Sequence, residues 1–364
     1  MTQRLGKQAM IVGVDQPIEV WEREFPAPEP GGVLLRMQMG GVCGTDVHLW
    51  RGHAAPPLPV VLGHEGVGLV EELGEGVSTD HAGLPLSVGD RVYWGPIRPC
   101  HHCYYCTIAK DFSLCENLVL FSGADEPTWN TYTDYAWLPS GMCFYKIPDD
   151  TPSEPVIAFG CAMPTMIQAF ERLGGLAPNQ TVVVQGCGPV GLAATLLSHL
   201  AGAKTVITIG APDHRLAMAR RLGARTTINF ETQSDEKDRI AQVYELTDGR
   251  GADVVIEAAG AYSAFAEGVK LAAPNGRYVI VGLWSGHGEI PINPRYINNR
   301  NLSIIGSALT QPQHYYEAIR VAQAHHTDFP MAEAITHRFA IEESQQALEA
   351  VEQQETIKAL IVPA

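Results

Sequence analysis

Between residues 181 and 307, apolar β-branched runs alternate with stretches of helical periodicity, and this alternation restricts the fold more than any other feature of the chain. TVVVQG (181–186) precedes a helical stretch at 189–201, and KTVITIG (204–210) precedes one at 212–222. RTTINF (225–230), ADVVIEAAG (252–260) and RYVIVGL (277–283) continue the pattern, with helical stretches at 234–246 and 263–271 between them. NLSIIGS (301–307) reads as a sixth strand. Strands that are apolar throughout, rather than alternately polar, belong to a parallel sheet covered by helices on both faces. The first 155 or so residues differ: short apolar runs at 32–39, 66–73 and 90–94 are broken by Gly and Pro, the mark of a β-rich, loop-rich region. Mixed character returns after 310, with helices near 312–324 and 342–351 and a last strand near 357–362. A chain of 364 residues with this change of character is expected to form two domains.

The first strand of the alternating region runs into Gly186-Cys187-Gly188-Pro189-Val190-Gly191. Glycine triplets are common, but this one follows a strand and opens a helix, the context a dinucleotide site requires. Gly186 makes the tight turn, Gly188 lets the backbone approach a pyrophosphate, and Gly191 allows close helix–strand packing. The helix N-terminus offers unpaired N–H groups and partial positive charge to the phosphates. An acid at the end of the second strand would bind the adenosine ribose and repel a 2′-phosphate. This chain has Gly210 there, followed by Ala211-Pro212-Asp213-His214-Arg215. The barrier to NADP is therefore missing, and Asp213, His214 and Arg215 remain as alternative contacts. The expected cofactor is NAD(P), the choice between the two left open by these residues with a slight lean to NAD.

Cys100, Cys103, Cys106 and Cys115 crowd into one short stretch, spaced Cys-x2-Cys-x2-Cys-x8-Cys. Four thiols at such spacing fit one tetrahedral zinc with a closed shell, a structural rather than a catalytic site. Clustered free thiols are the alternative, and they are reactive enough to be a poor explanation. A second set is scattered: Cys43 in CGTDVH, His64 and Glu65 in GHEG, and Cys161 in FGCAMPT. Two thiolates and an imidazole can hold zinc with one position open for substrate. Taken singly, each is as readily a packing residue. Cys143 and Cys187 have no partner pattern and read as packing residues.

With 40 acidic against 25 basic residues, the net charge of −15 repels a phosphate backbone, so nucleic acid is not an expected partner. No apolar run approaches the length of a membrane-spanning helix. The first residues lack a signal-peptide pattern, and eight cysteines without one point to a reducing, cytoplasmic setting.

Together GVCGTDVH, GHEGVG, VGDRV, the four-cysteine stretch, GCGPVG and the ending THRFAIEESQQALEAVEQQETIKALIVP make the chain resemble the zinc-dependent medium-chain alcohol dehydrogenases over nearly its whole length. The resemblance implies a chaperonin-10-like (GroES-like) catalytic domain, residues 1–160 with 311–364, around an inserted Rossmann domain, 161–310. It implies that Cys43, His64 and Cys161 bind the catalytic zinc, with Glu65 able to approach the metal. Asp46 becomes the carboxylate that orients His64, and Thr45 and His48 the proton relay. Pro189, Val190, Arg215, Leu283 and Lys358 join the glycines as cofactor contacts, Lys358 at the pyrophosphate. The last cysteine spacing is one residue longer than the family pattern, and Gly44 stands where some animal enzymes have a basic residue. Cys161 in place of an acid separates the chain from the polyol and threonine dehydrogenase branches.

The implied reaction oxidises an alcohol, with metal assistance, by hydride transfer to nicotinamide. Trp50, Trp94 and Trp284 are candidate walls of a wide apolar pocket, suited to bulky, cyclic secondary alcohols; ordinary core packing explains them equally well. An aldehyde dismutase with retained cofactor and a noncatalytic, crystallin-like protein are the rivals. A zinc-free enone or quinone reductase is disfavoured by Cys43 and His64. The strand at 301–307, last in its sheet, favours a homodimer or homotetramer.

Overall fold

The computed structural model describes residues 4–53, 58–123, 126–283 and 288–363. They form two compact units, Met1–Cys161 with Thr310–Ala364, and Ala162–Leu309.

The second unit carries six parallel strands. In spatial order they are Thr226–Asn229, Thr205–Gly210, Thr181–Gln185, Ala252–Glu257, Ala272–Ile280 and Ser303–Gly306. Val182, Val183 and Val184 are fully buried, as are Val254 and Val255, so neighbouring residues that point to opposite faces are both covered. Helices Pro189–Leu200, Asp213–Arg221, Glu236–Leu246 and Tyr262–Leu271 connect successive strands. Strand order reverses between Thr181–Gln185 and Ala252–Glu257, and such a switch opens a crevice at the carboxyl ends of the strands. Ser303–Gly306 lies at one sheet edge with Ile304 38% exposed.

The first unit is built from both ends of the chain. Its main sheet runs Ile335–Phe339, Lys358–Ile361, Val33–Val42, Gly66–Leu73, Arg91–Trp94 and Phe144–Lys146, with Tyr135–Leu138 also paired to Val33–Val42. Lys358–Ile361 is antiparallel to Val33–Val42 and parallel to Ile335–Phe339. A small sheet of Arg4–Ile11, Glu19–Phe25 and Val60–Val61 completes it. One core gathers Val33, Leu35, Val70, Val92, Trp94, Trp129 and Phe144; another gathers Ile11, Val42, Leu49, Trp50, Leu62, Tyr132 and Ile361. The architecture is α/β, a doubly wound parallel sheet inserted in a β-rich GroES-like domain.

Two of the three candidate pocket tryptophans are core residues. Trp50 is 4% exposed and Trp94 1%. Each indole N–H donates to a main-chain carbonyl, Trp50 to Gln16 and Trp94 to Trp129. An indole so enclosed packs rather than lines an open pocket. Trp284 lies outside the described residues.

Candidate functional site

Cys100, Cys103, Cys106 and Cys115 converge, all within 4.8 Å of one another. The sulfur separations are 3.5 Å for Cys103–Cys106, and 4.0 Å for both Cys100–Cys106 and Cys103–Cys115. A tetrahedron with zinc–sulfur bonds of about 2.3 Å has edges of about 3.8 Å. The four thiols therefore fit one closed-shell ion without rearrangement. The hydrogen bond with the His102 main chain draws the Cys100 thiol down to about 5, whereas burial pushes Cys106 up to about 12.

The second cluster is assembled from three separate stretches: Cys43, His64, Glu65 and Cys161, again within 4.8 Å. Cys43 caps the helix Gly44–Trp50. Three residues on, Asp46 reaches back to accept the Cys43 N–H at 2.9 Å, as a capping box requires. The same buried carboxylate accepts from His64 Nδ1 at 3.1 Å and from the Tyr132 hydroxyl at 3.1 Å. With Nδ1 committed to Asp46, the lone pair of His64 is carried on Nε2, on the side available to a metal. Burial keeps the Tyr132 phenol protonated and hence a donor. Cys43 and Cys161 sulfurs are 3.8 Å apart, again the edge of a zinc tetrahedron. The hydrogen bond they share holds Cys43 well below the ordinary thiol range and Cys161 well above it.

Glu65 is 1% exposed and pairs through Oε2 with the equally buried Lys358 ammonium. Its other oxygen, Oε1, has no hydrogen-bond partner among the described residues. A buried orphan oxygen beside two thiols and an imidazole suits a cation. Burial pushes the Glu65 carboxyl up, but the charge of Lys358 prevails and holds it below the usual carboxylate range. Room for this carboxylate exists because two neighbours lack side chains. A Cβ on Gly41 would lie 2.0 Å from Glu65 Oε2, and one on Gly160 1.9 Å from it. Gly160 also sits at φ +50°, a conformation side chains disfavour.

Among the residues expected from the resemblance, Thr45 lies beside the cluster, its Oγ1 3.7 Å from Cys43 Sγ. His48, one turn along the same helix, faces His53. Lys358, expected at a cofactor pyrophosphate, lies fully buried beside the cluster. Its ammonium is spent on Glu65 and on the Val42 carbonyl at 3.0 Å, because a charge on a fully buried strand must find partners inside the fold. Tyr132, Gly41 and Gly160 escaped the sequence reasoning, since nothing local ties them to the cluster.

In the second unit the three glycines have three distinct reasons. Gly186 has φ +108°, and a Cβ there would lie 2.5 Å from the Ala258 carbonyl oxygen. A Cβ on Gly191 would lie 2.0 Å from the Gly186 carbonyl oxygen, so only glycine lets the helix approach its strand. A Cβ on Gly188 would meet nothing within 4 Å, which leaves room beside the backbone there. Pro189 and Val190 form the first turn of the helix, whose N-terminus has no side-chain cap. These features fit a pyrophosphate. Leu283 follows a loop pinned by a carboxylate that sequence reasoning also missed. Glu257 is fully buried and accepts the N–H groups of Ala259 at 2.8 Å, Gly260 at 2.6 Å and Gly282 at 2.8 Å.

Gly210 packs against the glycine loop: a Cβ there would lie 2.4 Å from Cys187 Sγ. Asp213 accepts from the Asn229 amide at 2.7 Å, and Arg215 is half-buried, its guanidinium held below its ordinary value by burial. The expected result for Gly210→Asp alone is weaker binding of both NAD and NADP, because the loop must shift. Paired with Cys187→Gly, the same change is expected to penalise NADP over NAD by ~1–3 kcal/mol, the cost of a badly paired charge. Calorimetric titration with each nucleotide checks both; equal losses for both nucleotides in the double variant would remove Gly210 from the ribose.

Residues 29–149 match the model of the alcohol dehydrogenase GroES-like domain, and 189–324 that of the zinc-binding dehydrogenase family. The chain is 46% identical over 356 residues to a 5-exo-hydroxycamphor dehydrogenase of Pseudomonas putida, covering 97% of this chain and 98% of the relative. Against a sorbitol dehydrogenase of Halalkalibacterium halodurans it is 32% identical, covering 94% and 95%. Among solved structures, an alcohol dehydrogenase from Thermotoga maritima superposes with a TM-score of 0.93 at 28% identity, over 99% of this chain and all of that one. A zinc-binding dehydrogenase structure from Sinorhizobium meliloti, bound to NADP, superposes with a TM-score of 0.86 at 25% identity, over 99% and 100%. Two family models in tandem, a full-length relative at nearly half identity and two sulfur-rich metal constellations lead to one conclusion: the chain belongs to the zinc-type alcohol dehydrogenase family of the medium-chain dehydrogenase/reductase superfamily.

Proposed function

We propose that the protein oxidises a bulky, apolar, cyclic secondary alcohol to its ketone, with NAD(P) as hydride acceptor and one catalytic and one structural zinc per chain. The observation that carries this reading is the buried Cys43–His64–Cys161 cluster, oriented by Asp46 and completed by the orphaned Glu65 oxygen. The cyclic substrate is supported by the 46% identity to a hydroxycamphor dehydrogenase, against 32% to a sorbitol dehydrogenase. When bound, zinc supplies Lewis-acid stabilisation of negative charge on the alcohol oxygen, and nicotinamide accepts the hydride.

The remaining work falls to the chain. Cys43, His64 and Cys161 hold the metal, and Asp46 fixes the imidazole through Nδ1. Glu65, neutralised by Lys358, keeps a second oxygen beside the metal ligands without leaving a net buried charge. Thr45, beside Cys43, and His48 form the relay that carries the alcohol's proton outward. Gly186, Gly188 and Gly191 cradle the pyrophosphate. Cys100, Cys103, Cys106 and Cys115 hold the structural ion. All eight cysteines are free thiols, which accords with a reducing, cytoplasmic setting.

The test is a panel of cyclic, linear and polyol alcohols with NAD and with NADP, read by absorbance of the reduced nucleotide. Turnover of camphor-like alcohols over polyols is expected; preference for polyols would overturn the substrate. Nucleotide that stays with the protein through gel filtration, with aldehyde converted to equal acid and alcohol, would favour a dismutase instead. Self-pairing of the exposed edge Ser303–Gly306 predicts a homodimer or homotetramer, checked by light scattering. A monomer at micromolar concentration would remove it.

A further inference from the structure

The helix Gly44–Trp50 ends in a stop that brings a second histidine onto the first. The Gly52 N–H donates to the Leu49 carbonyl at 3.1 Å, and the His53 N–H donates to the His48 carbonyl at 2.8 Å. These are the paired hydrogen bonds of a Schellman cap, with glycine at the left-handed position. Gly52 has φ +71°, and a Cβ there would lie 2.8 Å from Val14 Cγ1, so the turn tolerates little else. The cap folds the chain back by one turn. His53 then lies over His48, with their Nδ1 atoms 3.1 Å apart and ring centroids 5.3 Å apart. Two ring nitrogens at that distance share one proton: one ring must donate and the other accept. His48 is half-buried and His53 is exposed, so the pair runs from the interior toward solvent.

We propose that His53 is the outer member of a two-histidine relay, receiving the proton that His48 takes up during alcohol oxidation and delivering it to water. This rests on the dehydrogenase reading above. In the resting pair, neutral His48 carries its hydrogen on Nδ1 and donates to Nδ1 of neutral His53. A proton arriving at His48 Nε2 makes an imidazolium. The Nδ1–H bond of His48 then breaks as a new one forms on His53 Nδ1, and the charge moves with the proton. His53 next gives up its Nε2 proton to water or buffer, and both rings are again neutral with tautomers exchanged. Exchange with bulk water restores the starting pair: each ring takes a proton on its bare nitrogen and releases the one on the other, which ring rotation alone does not achieve. No electrons change hands and one proton enters for each that leaves.

The surroundings favour this direction. Arg51, between the two histidines, stacks on Trp50 with its guanidinium 4.0 Å from the ring centroid and is held by Asp15 and Glu352. Its charge is thereby neutralised locally. The Glu352 carboxylate also feels His53, which eases transient positive charge on the outer ring. On the inner side, Cys43 attracts charge to His48, but burial first and then the charge of His53 hold its imidazole below the ordinary value of 6.5. A neutral imidazole can accept a proton and a protonated one cannot. Removing His53 lets His48 rise toward the ordinary value, so the acidic limb of kcat/KM should move to higher pH.

The experiment uses the zinc-loaded enzyme and the alcohol it turns over best. For His53→Gln in dilute buffer at neutral pH, kcat should fall roughly tenfold, a fraction of the 10²–10⁴ that acid–base catalysis contributes. KM should not change, and added imidazole should restore the rate. Combining His53→Gln with His48→Gln should cost no more than His48→Gln alone, since both lie on one path. Independently of turnover, nitrogen-15 NMR of the holoenzyme should show the two rings titrating as a coupled pair, and His48 Nδ1 should change its shift when His53 is replaced. An active enzyme whose kcat, buffer dependence and acidic limb are untouched by His53→Gln overturns the relay alone. Independent titration of the two rings does the same. A wild-type enzyme inert toward every alcohol overturns the dehydrogenase reading, and the relay with it.

Discussion

Replacing His64 by alanine is expected to lower kcat by about 10³-fold or more, given that a metal acting as Lewis acid supplies several kcal/mol of charge stabilisation. Nucleotide binding should stay within about twofold of wild type, a difference worth only ~0.4 kcal/mol, because the glycine loop takes its shape from contacts inside residues 162–309. The loss has two parts. Removing the imidazole deletes one metal ligand, and it strands Asp46, which keeps only its bonds from the Cys43 N–H and the Tyr132 hydroxyl. A buried carboxylate that has lost a partner relaxes, and Cys43 hangs from that carboxylate by its N–H. Cys43→Ala should behave alike in turnover while leaving Asp46 bonded to the main chain, so its stability cost should be smaller. Steady-state kinetics, nucleotide titration and metal analysis together make the test. If His64→Ala turned over alcohol at the wild-type rate, the cluster would have no part in the chemistry.

The second large effect is expected from Cys103→Ser. Metal analysis should give two zinc ions per wild-type chain and one in the variant. The lobe has little apolar packing of its own to hold it. Its buried cluster consists of Cys103, Cys106 and Cys115, flanked by Cys100, Tyr105, Phe112 and Leu118. Tyr104, Ile108 and Leu114 in the same lobe are exposed at 60%, 68% and 52%. Structural zinc sites in small peptides contribute roughly 10–16 kcal/mol to folding; inside a large domain, part of that is absorbed by local loosening of the lobe. The variant should therefore show a lower Tm and rapid proteolysis within residues 100–115, with turnover per remaining catalytic zinc less affected. One zinc in the wild type, or two in the variant, would refute the assignment.

Much of the fold was legible from the sequence, for a reason that does not extend to the site. The strands of the parallel sheet, such as Thr181–Gln185, announce themselves because both faces are covered and consecutive residues such as Val182, Val183 and Val184 are all apolar. The glycine loop was legible because each of its glycines answers a steric demand set by immediate neighbours. The four-cysteine lobe lies within 16 residues, so spacing alone carried it. The second cluster needed resemblance, because Cys43, His64 and Cys161 meet only in three dimensions. Tyr132, Gly41 and Gly160 left no trace at all: a phenol, and two absent side chains, matter only through distant partners. Trp50 and Trp94 show the opposite failure. Aromatic residues near a site suggest a pocket, whereas burial of the whole ring is decided by strands far along the chain.

The placement of Lys358–Ile361 in the middle of the first sheet sets an order on biosynthesis. Val33–Val42 leaves the ribosome early but cannot gain this neighbour until residue 361 has emerged, with the whole of 162–309 made in between. Until then Glu65 has no Lys358, and its carboxylate stands uncompensated against the nascent metal ligands. A chain that has not yet reached Lys358 can thus bring Cys43, His64, Glu65 and Cys161 together only with the Glu65 charge unpaired. Arrival of this strand therefore supplies the Val33–Val42 strand with its neighbour and Glu65 with its counter-charge in one step.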